Sequence, residues 1–400
     1  MPSLIRTPLA LFWDRPPRER LNLIVLAVAL IGGIVIIGGA TVRFALTGDS
    51  LGDLATYVRA ARAMAAGQSP YNLDAVNAAT YNEALYRYPP VLASLLIPFA
   101  HVNFNLLGLA YCAALFTSLI AGLALALAAG GWKPTPLRLA ALMAGCLWFI
   151  PVWNMLWATN TEGFQVLAIG ISLYAGGGLV RGAASAVGIW IKVAPVLALP
   201  ALVIRHGARG IVGLIIASAI VVLPSLLWAP RAWGDLLAVL TATASGGLDI
   251  GWNISPLSMV HAAGWTALET PMHLVLLTTA AGLVVASLVA ARRLDGWPAA
   301  LACATVAGLL VPTILWEHYL IVLLPFAAVA FPRAGNGART AMAYAVLVLA
   351  VADYVAGREL VFAAAAALAA ITIWLLWPRR GGSEVSPVTE ERLTEPVCAR

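Results

Sequence analysis

The sequence predicts an all-α polytopic membrane protein. Of the 400 residues, 62% are hydrophobic and only 10% are charged, and the mean hydropathy is +0.90. A soluble domain carries roughly 25% charged residues. Apolar runs of bilayer-spanning length recur along the whole chain, and one polar segment, 47–90, interrupts them after the first run. This segment is therefore expected to be a large first loop outside the membrane.

The apolar runs define the expected helices. They lie at 21–46, 104–129, 139–157, 163–180, 183–204, 210–228, 272–291, 297–315, 319–331, 340–352 and 360–377. The preceding segment 1–20 is basic and no small-residue cleavage site follows the first run, so this span should be retained. The tail 378–400 is polar and is expected to be disordered. The membrane domain is thus predicted to occupy 21–377.

Short basic loops predict the orientation, because they normally face the cytoplasm. A single helix over 183–204 would place Arg181 and Arg205 on opposite sides. This segment contains Lys192, Pro195 and Pro200, and proline interrupts a helix. We therefore expect two half-helices that return to the same side, giving about twelve helices in total with both termini cytoplasmic. Segments 47–90, 153–162, 229–271 and 312–318 then share the outer face.

The first outer loop is expected to contain an amphipathic helix. Leu54, Tyr57, Val58, Ala61 and Ala65 follow helical spacing, so 54–66 is predicted to lie in the interface and to end at Gly67. Asp53 stands at its start. That residue can be a helix cap, for which Ser50 is a rival, or a catalytic carboxylate, for which Asp49 is a rival.

Four motifs resemble glycosyltransferase family 87 when taken together and in order. The first is D-x-x-x-Y-x-x-A-A-x-A from Asp53, continued by Tyr86-Arg87-Tyr88-Pro89-Pro90. The others are Ile191-Lys192-Val193-Ala194-Pro195, Asn253-Ile254-Ser255-Pro256-Leu257-Ser258, and the turn from Pro312 to Tyr319. The resemblance implies a GT-C-type fold and use of a polyprenyl-phosphate sugar, as in the mannosyltransferases of phosphatidylinositol mannoside assembly.

The resemblance also implies roles for residues. It makes the protein an inverting hexosyltransferase of the plasma membrane, needing no cofactor, which moves a hexose, with mannose expected, to an outer-leaflet lipid or glycan acceptor. Asp53 would be the general base, and His318 and Lys192 would bind the donor phosphate. Candidate substrate contacts are Asp49, Tyr57, Arg62, Tyr88, Asn160, Glu162, Asn253, Trp316 and Glu317. Many members carry a Gln and Asn pair where this chain has Asn160 and Glu162, a departure that bears on the sugar.

Plainer interpretations stay open for the two cationic candidates. Lys192 lies in an apolar stretch, where burying an unpaired ammonium costs about 2.5–3.5 kcal/mol. It should therefore pair with an anion, line a water cavity or extend its side chain to the membrane interface. His318 stands between Trp316 and Tyr319 and could belong to an aromatic belt at the membrane surface.

Other classes of function fit the sequence less well. A secondary transporter or lipid flippase is the main alternative, because it could use the broken helix around Lys192. A non-catalytic scaffold would tolerate substitution of Asp53. The four cysteines have neither disulfide nor metal spacing, and no nucleotide-binding loop occurs. The net charge of +6 comes from arginines in short loops, which are topology signals, so no nucleic-acid partner is expected.

Overall fold

The computed structural model describes residues 16–39, 42, 52–72, 86–243, 248, 253–355 and 357–378. In these residues the chain forms helices and no strand, which confirms the all-α class. The α-helices in chain order are α1 Pro17–Gly33, α2 Gly52–Ala65, α3 Pro90–Leu96, α4 Phe104–Ala129, α5 Pro136–Leu147, α6 Ile150–Ala158, α7 Glu162–Tyr174, α8 Gly178–Ile191, α9 Leu199–Trp228, α10 Ala232–Thr243, α11 Pro256–Ala262, α12 Glu269–Ala291, α13 Trp297–Leu310, α14 Leu324–Ala330, α15 Asn336–Val355 and α16 Arg358–Leu376.

Several of these helices are suited to a membrane. Among the described residues, four helical segments are long and apolar enough to cross one, and the bent pair of α5 and α6 is a fifth candidate. The four are Phe104–Ala129, Ala194–Trp228, Thr266–Ala291 and Arg358–Leu376. The second is broken at Gly207, so the part after Gly207 is the candidate span there. The other apolar runs form shorter or interrupted helices, so the count of about twelve stays a prediction. The end of the first run and the tail from 379 lie outside the described residues.

Two predicted segments differ in shape from the expectation. The run 139–157 forms two helices bent by 71°, and the bend falls just before Pro151 in the first turn of α6. Pro151 has no backbone N–H, and its ring clashes with the carbonyl four residues earlier, that of Leu147, so a continuous helix cannot pass through it and α6 begins anew at Ile150. The segment 229–271, expected as a loop, contains α10 and α11. The second of these begins at a proline, and Ser255 Oγ accepts from the Ser258 N–H as its cap.

The break predicted in 183–204 is present. Helix α8 ends before Lys192, which has extended backbone angles (φ −152°, ψ 122°), and a 3-10 turn Ala194–Ala198 follows. Helix α9 then starts and is itself interrupted at Gly207. The φ of Gly207 is +50°, in the left-handed region that favours glycine.

The contacts of α8 show that the chain returns. Near its start, Gly178 packs against the side chain of His206, and near its end Trp190 Nε1 donates to Ser218 Oγ at 2.8 Å. The part of α9 after Gly207 therefore runs parallel to α8, so the preceding 192–206 must run back along it. Arg181 lies 3.1 Å from the His206 ring. The predicted return of this segment to the level of Arg181 is confirmed.

Close packing fixes the start of α7. Helices α4 and α7 touch through glycine: a Cβ on Gly170 would lie 2.2 Å from the Gly122 carbonyl oxygen, and one on Gly163 would lie 2.4 Å from that of Leu115. Small residues allow membrane helices to approach this closely and gain van der Waals contact. The first turn of α7, which begins at Glu162, is consequently held against α4.

Candidate active site

Helix α2 carries Asp53 in its first turn. Four residues of its predicted apolar stripe are buried, namely Leu54, Tyr57, Val58 and Ala61, whereas Ala65 is exposed. The helix ends before Gly67 at φ +71°. The amphipathic helix predicted for 54–66 is therefore present. The Leu54 N–H donates to Thr159 Oγ1 at 3.0 Å. A side chain from the α6–α7 turn thus caps this N–H, and the Asp53 carboxylate accepts a hydrogen bond from Asn160.

Asn160 orients the Asp53 carboxylate. Its Nδ2 donates to Asp53 Oδ2 at 2.6 Å, while its Oδ1 accepts from the Thr161 N–H at 2.6 Å and from the Tyr88 hydroxyl at 3.2 Å. Thr159, just before it, adopts a left-handed conformation (φ 58°, ψ 37°) that ends α6. Such a conformation is uncommon for a β-branched residue and often marks a functional turn.

Tyrosines form one wall beside Asp53. The Tyr57 and Tyr88 rings meet edge to face at 5.1 Å, and Tyr111 lies 6.3 Å from Tyr57. Burial raises the pKa of Tyr88 well above its ordinary value, and the negative charge of Asp53 raises it further. Tyr88 is therefore a neutral phenol that donates a hydrogen bond toward Asn160 at any physiological pH.

A buried ion pair joins two helix ends. Glu162 is the first residue of α7 and is 0% exposed, and its Oε1 accepts a hydrogen bond from Lys192 Nζ. Lys192 follows the last residue of α8, and its side chain is 21% exposed. A carboxylate at a helix N-terminus and a cation at a C-terminus both complement the helix dipoles. The anion that Lys192 was expected to need is Glu162.

The turn after α13 completes the cluster with aromatic groups. Lys192 Nζ lies 3.2 Å from the centroid of the Tyr319 ring, and this ring meets His318 edge to face at 4.9 Å. His318 is 7% exposed and lies parallel to Trp316 at 6.4 Å. Its Nε2 is buried and has no hydrogen-bond partner in the described part of the chain. An unpaired buried nitrogen of this kind calls for an explanation, and a ligand is one.

A cavity of about 90 Å³ adjoins the ion pair. Glu162, Lys192 and Tyr319 line it, and so does Ser172, which is ten residues and about 15 Å further along α7. Most of the remaining lining is apolar, including Ala168, Ile169, Ala184, Ala194, Leu301, Gly308, Leu309 and Val322. The cavity thus has charged groups where α7 begins and an apolar body.

Other predicted site residues contact groups other than Asp53. Arg62 Nε donates to the Ala100 carbonyl at 2.8 Å, about 14 Å along α2 from Asp53. Asn253 is buried and ties two loops together, donating to the Thr313 carbonyl and accepting from the Leu315 N–H. Glu317 accepts from Asn154 at 3.0 Å. Asp49 lies outside the described residues.

Some residues of the cluster were not among the predicted site residues. Thr159 and Tyr319 enter through the tertiary fold, although Tyr319 is the last residue of the motif turn from Pro312 to Tyr319. Gln165, one turn after Glu162, lines the cavity and donates to the Gly188 carbonyl at 2.7 Å. Its spacing of three from Glu162 on one helix face was the available signal. No group of three or more His, Cys, Asp or Glu side chains suited to a metal occurs within the described ranges.

Comparison with known proteins identifies the family. The model of glycosyltransferase family 87 matches residues 86–315, more than half of the chain. The matched range contains Tyr88, Asn160, Glu162 and Lys192, whereas His318 lies 3 residues after its end and Asp53 lies 33 residues before its start. No curated protein and no solved structure matches. The helical membrane architecture and this match together make the chain a membrane glycosyltransferase, and it belongs to glycosyltransferase family 87.

Proposed function

We propose that this glycosyltransferase moves a hexose, with mannose the first candidate, from a polyprenyl-phosphate sugar to a hydroxyl group of a lipid or glycan acceptor. One observation carries the proposal: Asp53, Lys192 and His318 belong to a single cluster. Asn160 links Asp53 to the turn that bears Glu162, Glu162 pairs with Lys192, and Tyr319 contacts both Lys192 and His318. A carboxylate and two phosphate-binding groups are the parts that this reaction requires.

The reaction is a single displacement. The acceptor oxygen attacks the anomeric carbon while the bond from that carbon to the phosphate oxygen breaks. The acceptor proton passes to the Asp53 carboxylate, and polyprenyl phosphate leaves with the bonding electron pair. Lys192 and His318 stabilise the charge that develops on the leaving phosphate. Attack from the face opposite the leaving group inverts the anomeric configuration.

Asn160 is a positioning residue in this scheme. It donates to Asp53 and is itself fixed by Tyr88 and by the Thr161 N–H, so the carboxylate is held in one orientation. Pre-oriented groups lower the barrier because the ordering is completed before the reaction begins.

The clustering also supports this proposal over a transporter. A transporter built on the helix break would place its charges along a path through the membrane, whereas Asp53, Lys192 and His318 gather in one cluster beside an apolar cavity. We place the cluster on the outer face of the plasma membrane. Labelling Ala208→Cys with an impermeant thiol reagent tests this orientation, since strong labelling from outside would contradict it.

The direct test is a product assay. Purified protein in lipid nanodiscs is incubated with polyprenyl-phosphate mannose or glucose and a membrane lipid extract, and mass spectrometry identifies the products. We expect an acceptor heavier by one hexose residue and free polyprenyl phosphate, with an inverted linkage by NMR. Movement of either donor across the bilayer of sealed proteoliposomes without sugar transfer would favour the transporter.

A further inference from the structure

Glu162 has one carboxylate oxygen that the described structure does not use. Oε1 accepts from Lys192, but Oε2 is buried and has no hydrogen-bond partner within the described part of the chain. The residue is 0% exposed. Buried polar atoms in folded proteins nearly always have a partner, and an unpaired one calls for an explanation such as a ligand.

The role of counter-ion explains only half of this residue. Neutralising Lys192 requires one oxygen, and Oε1 supplies it. Glu162 also lines the cavity together with Lys192 and Tyr319, so the unpartnered oxygen belongs to a residue of the cavity wall. Glu162 follows Asn160, which donates to Asp53, by two residues, and it pairs with Lys192. It therefore belongs to the same cluster as the proposed base and the proposed phosphate-binding groups.

The chemistry of a carboxylate decides what it can bind. An ionised carboxylate accepts hydrogen bonds and cannot donate them. The phosphate of a lipid-linked sugar also presents acceptor oxygens and a negative charge, so Glu162 would repel it. The sugar, by contrast, presents hydroxyl groups, which are donors.

We propose that Glu162 is a specificity-determining residue whose Oε2 accepts a hydrogen bond from one hydroxyl group of the transferred sugar. This inference rests on the proposed function. Lys192 then holds Glu162 with one N–H and the phosphate with another, because an ammonium has three donors. The enzyme consequently selects donors that carry a hydroxyl at this position and discriminates against analogues that lack it.

The test combines one substitution with a series of donors. Steady-state kcat/KM is measured for the preferred hexose donor and for its 2-, 3-, 4- and 6-deoxy analogues, with wild type and Glu162→Gln. Inhibition by polyprenyl phosphate, which has no sugar, reports the phosphate site separately. In wild type, one deoxy position should lower kcat/KM roughly 10- to 100-fold, as expected for a lost hydrogen bond to a charged group.

With the complete sugar, kcat/KM of the variant should fall below that of wild type by a similar factor. With that same deoxy analogue, the variant and wild type should have equal kcat/KM, because the substitution and the missing hydroxyl remove the same interaction. Its inhibition constant for polyprenyl phosphate should stay within about threefold of wild type. An equal loss on all donors with weakened polyprenyl phosphate inhibition would reduce Glu162 to a counter-ion and overturn the proposal. Glu269→Gln, at a partly exposed glutamate that pairs with His261, is the matched control and should behave as wild type.

Folding and the proposed function are checked independently. If Glu162→Gln does not fold, Glu162→Asp keeps the charge but withdraws the carboxylate by one methylene, and must show the same loss of selectivity for the deoxy position. If wild type transfers none of the hexoses, the proposed function fails. If wild type is active but each deoxy analogue lowers kcat/KM by the same factor in wild type and in the variant, only the role of Glu162 fails.

Discussion

The two ends of helix α8 carry similar side chains in different surroundings. Near its start, Arg181 contacts the His206 ring at 3.1 Å and lies over Trp297 at 5.8 Å. Just after its end, Lys192 lies over Tyr319, whose ring meets His318. At each end, a cation at or next to a terminal turn of α8 thus meets a histidine and an aromatic ring from other segments.

The acceptors distinguish the two ends. Arg181 Nε donates to the Ser172 carbonyl at 3.1 Å, and Trp297 Nε1 donates to the same oxygen at 3.1 Å, so this end joins three helices through the backbone. At the other end the acceptor is the Glu162 carboxylate, and Asp53 lies nearby. A backbone carbonyl stabilises the fold but does no acid–base chemistry. We therefore expect substitutions at the Arg181 end to change stability and those at the Lys192 end to change activity.

The largest effect should come from Asp53→Asn. Asparagine keeps the size of the side chain but cannot accept the proton, so the transfer rate should fall about 10²- to 10⁴-fold. The free energy of unfolding should barely change, because Thr159 Oγ1 rather than Asp53 caps the Leu54 N–H. Initial rates from the product assay and a denaturation curve measure the two quantities.

Asp49→Asn is the control for Asp53, and it should retain most of the activity. An active Asp53→Asn protein together with an inactive Asp49→Asn protein would transfer the role of base to Asp49. A scaffold protein, in contrast, would lose no measurable function with either change.

The next effect concerns the buried ion pair. Lys192→Met leaves the Glu162 charge buried without its partner, which should lower the free energy of unfolding by about 3 kcal/mol. Adding Glu162→Gln removes that charge and should restore most of the stability without restoring donor use. Arg181→Met, at the other end, leaves only carbonyl acceptors and should cost about 1–2 kcal/mol. Chemical denaturation in detergent, followed by tryptophan fluorescence, gives the free energy of unfolding of all three variants. Equal losses in Lys192→Met and Arg181→Met would contradict the proposed difference between the two ends of α8.

His318 and His206 provide a matched pair of histidines. His318→Ala removes a hydrogen-bond donor to the phosphate of the sugar donor. The affinity for that substrate should therefore weaken roughly 10- to 100-fold while the fold persists. His206→Ala removes a contact to Arg181 and Trp297 and should leave donor use unchanged in the folded protein. KM for the donor and inhibition by polyprenyl phosphate are the measurements. Unchanged donor affinity in both His318→Ala and Lys192→Ala would refute the phosphate-binding role.

Local signals predicted the helix break well. Pro195 predicted an interruption of the helix, and the charges of Arg181 and Arg205 predicted that the chain returns to the same side. The interruption and the return are both present. The helix over 54–66 followed from apolar spacing and from Gly67. The bend before Pro151 was missed because apolar composition alone does not distinguish a straight span from two bent helices. The helix α10 was missed because its segment lies in an interval that the charge rule assigned to a loop.

The candidate site was harder to predict because its contacts are long-range. Glu162 and Lys192 are 30 residues apart, and no sequence period relates them. Glu162 departed from the family pattern, and only the fold reveals that Lys192 is its partner. Asn253 stays a predicted substrate contact, and only the fold shows that its amide also bridges two loops. The ordered motifs therefore located the region, and tertiary packing determined which side chains meet.

The smallest effect should come from Gly207→Ala, which tests the Arg181 end without touching its polar groups. Gly207 has φ +50° and ψ −138°, angles that disfavour a Cβ, although nothing lies within 4 Å of one. Backbone strain alone should therefore cost about 1–2 kcal/mol of unfolding free energy. Gly282→Ala is the control: this glycine also has open space but lies inside helix α12, where alanine should be neutral or stabilising. Denaturation curves give both values, and kcat/KM per folded molecule should equal that of wild type for both variants. A loss of activity in Gly207→Ala without loss of stability would mean that the two ends of α8 are coupled, because strain where the chain turns back would then have reached Lys192 through the returning segment 192–206.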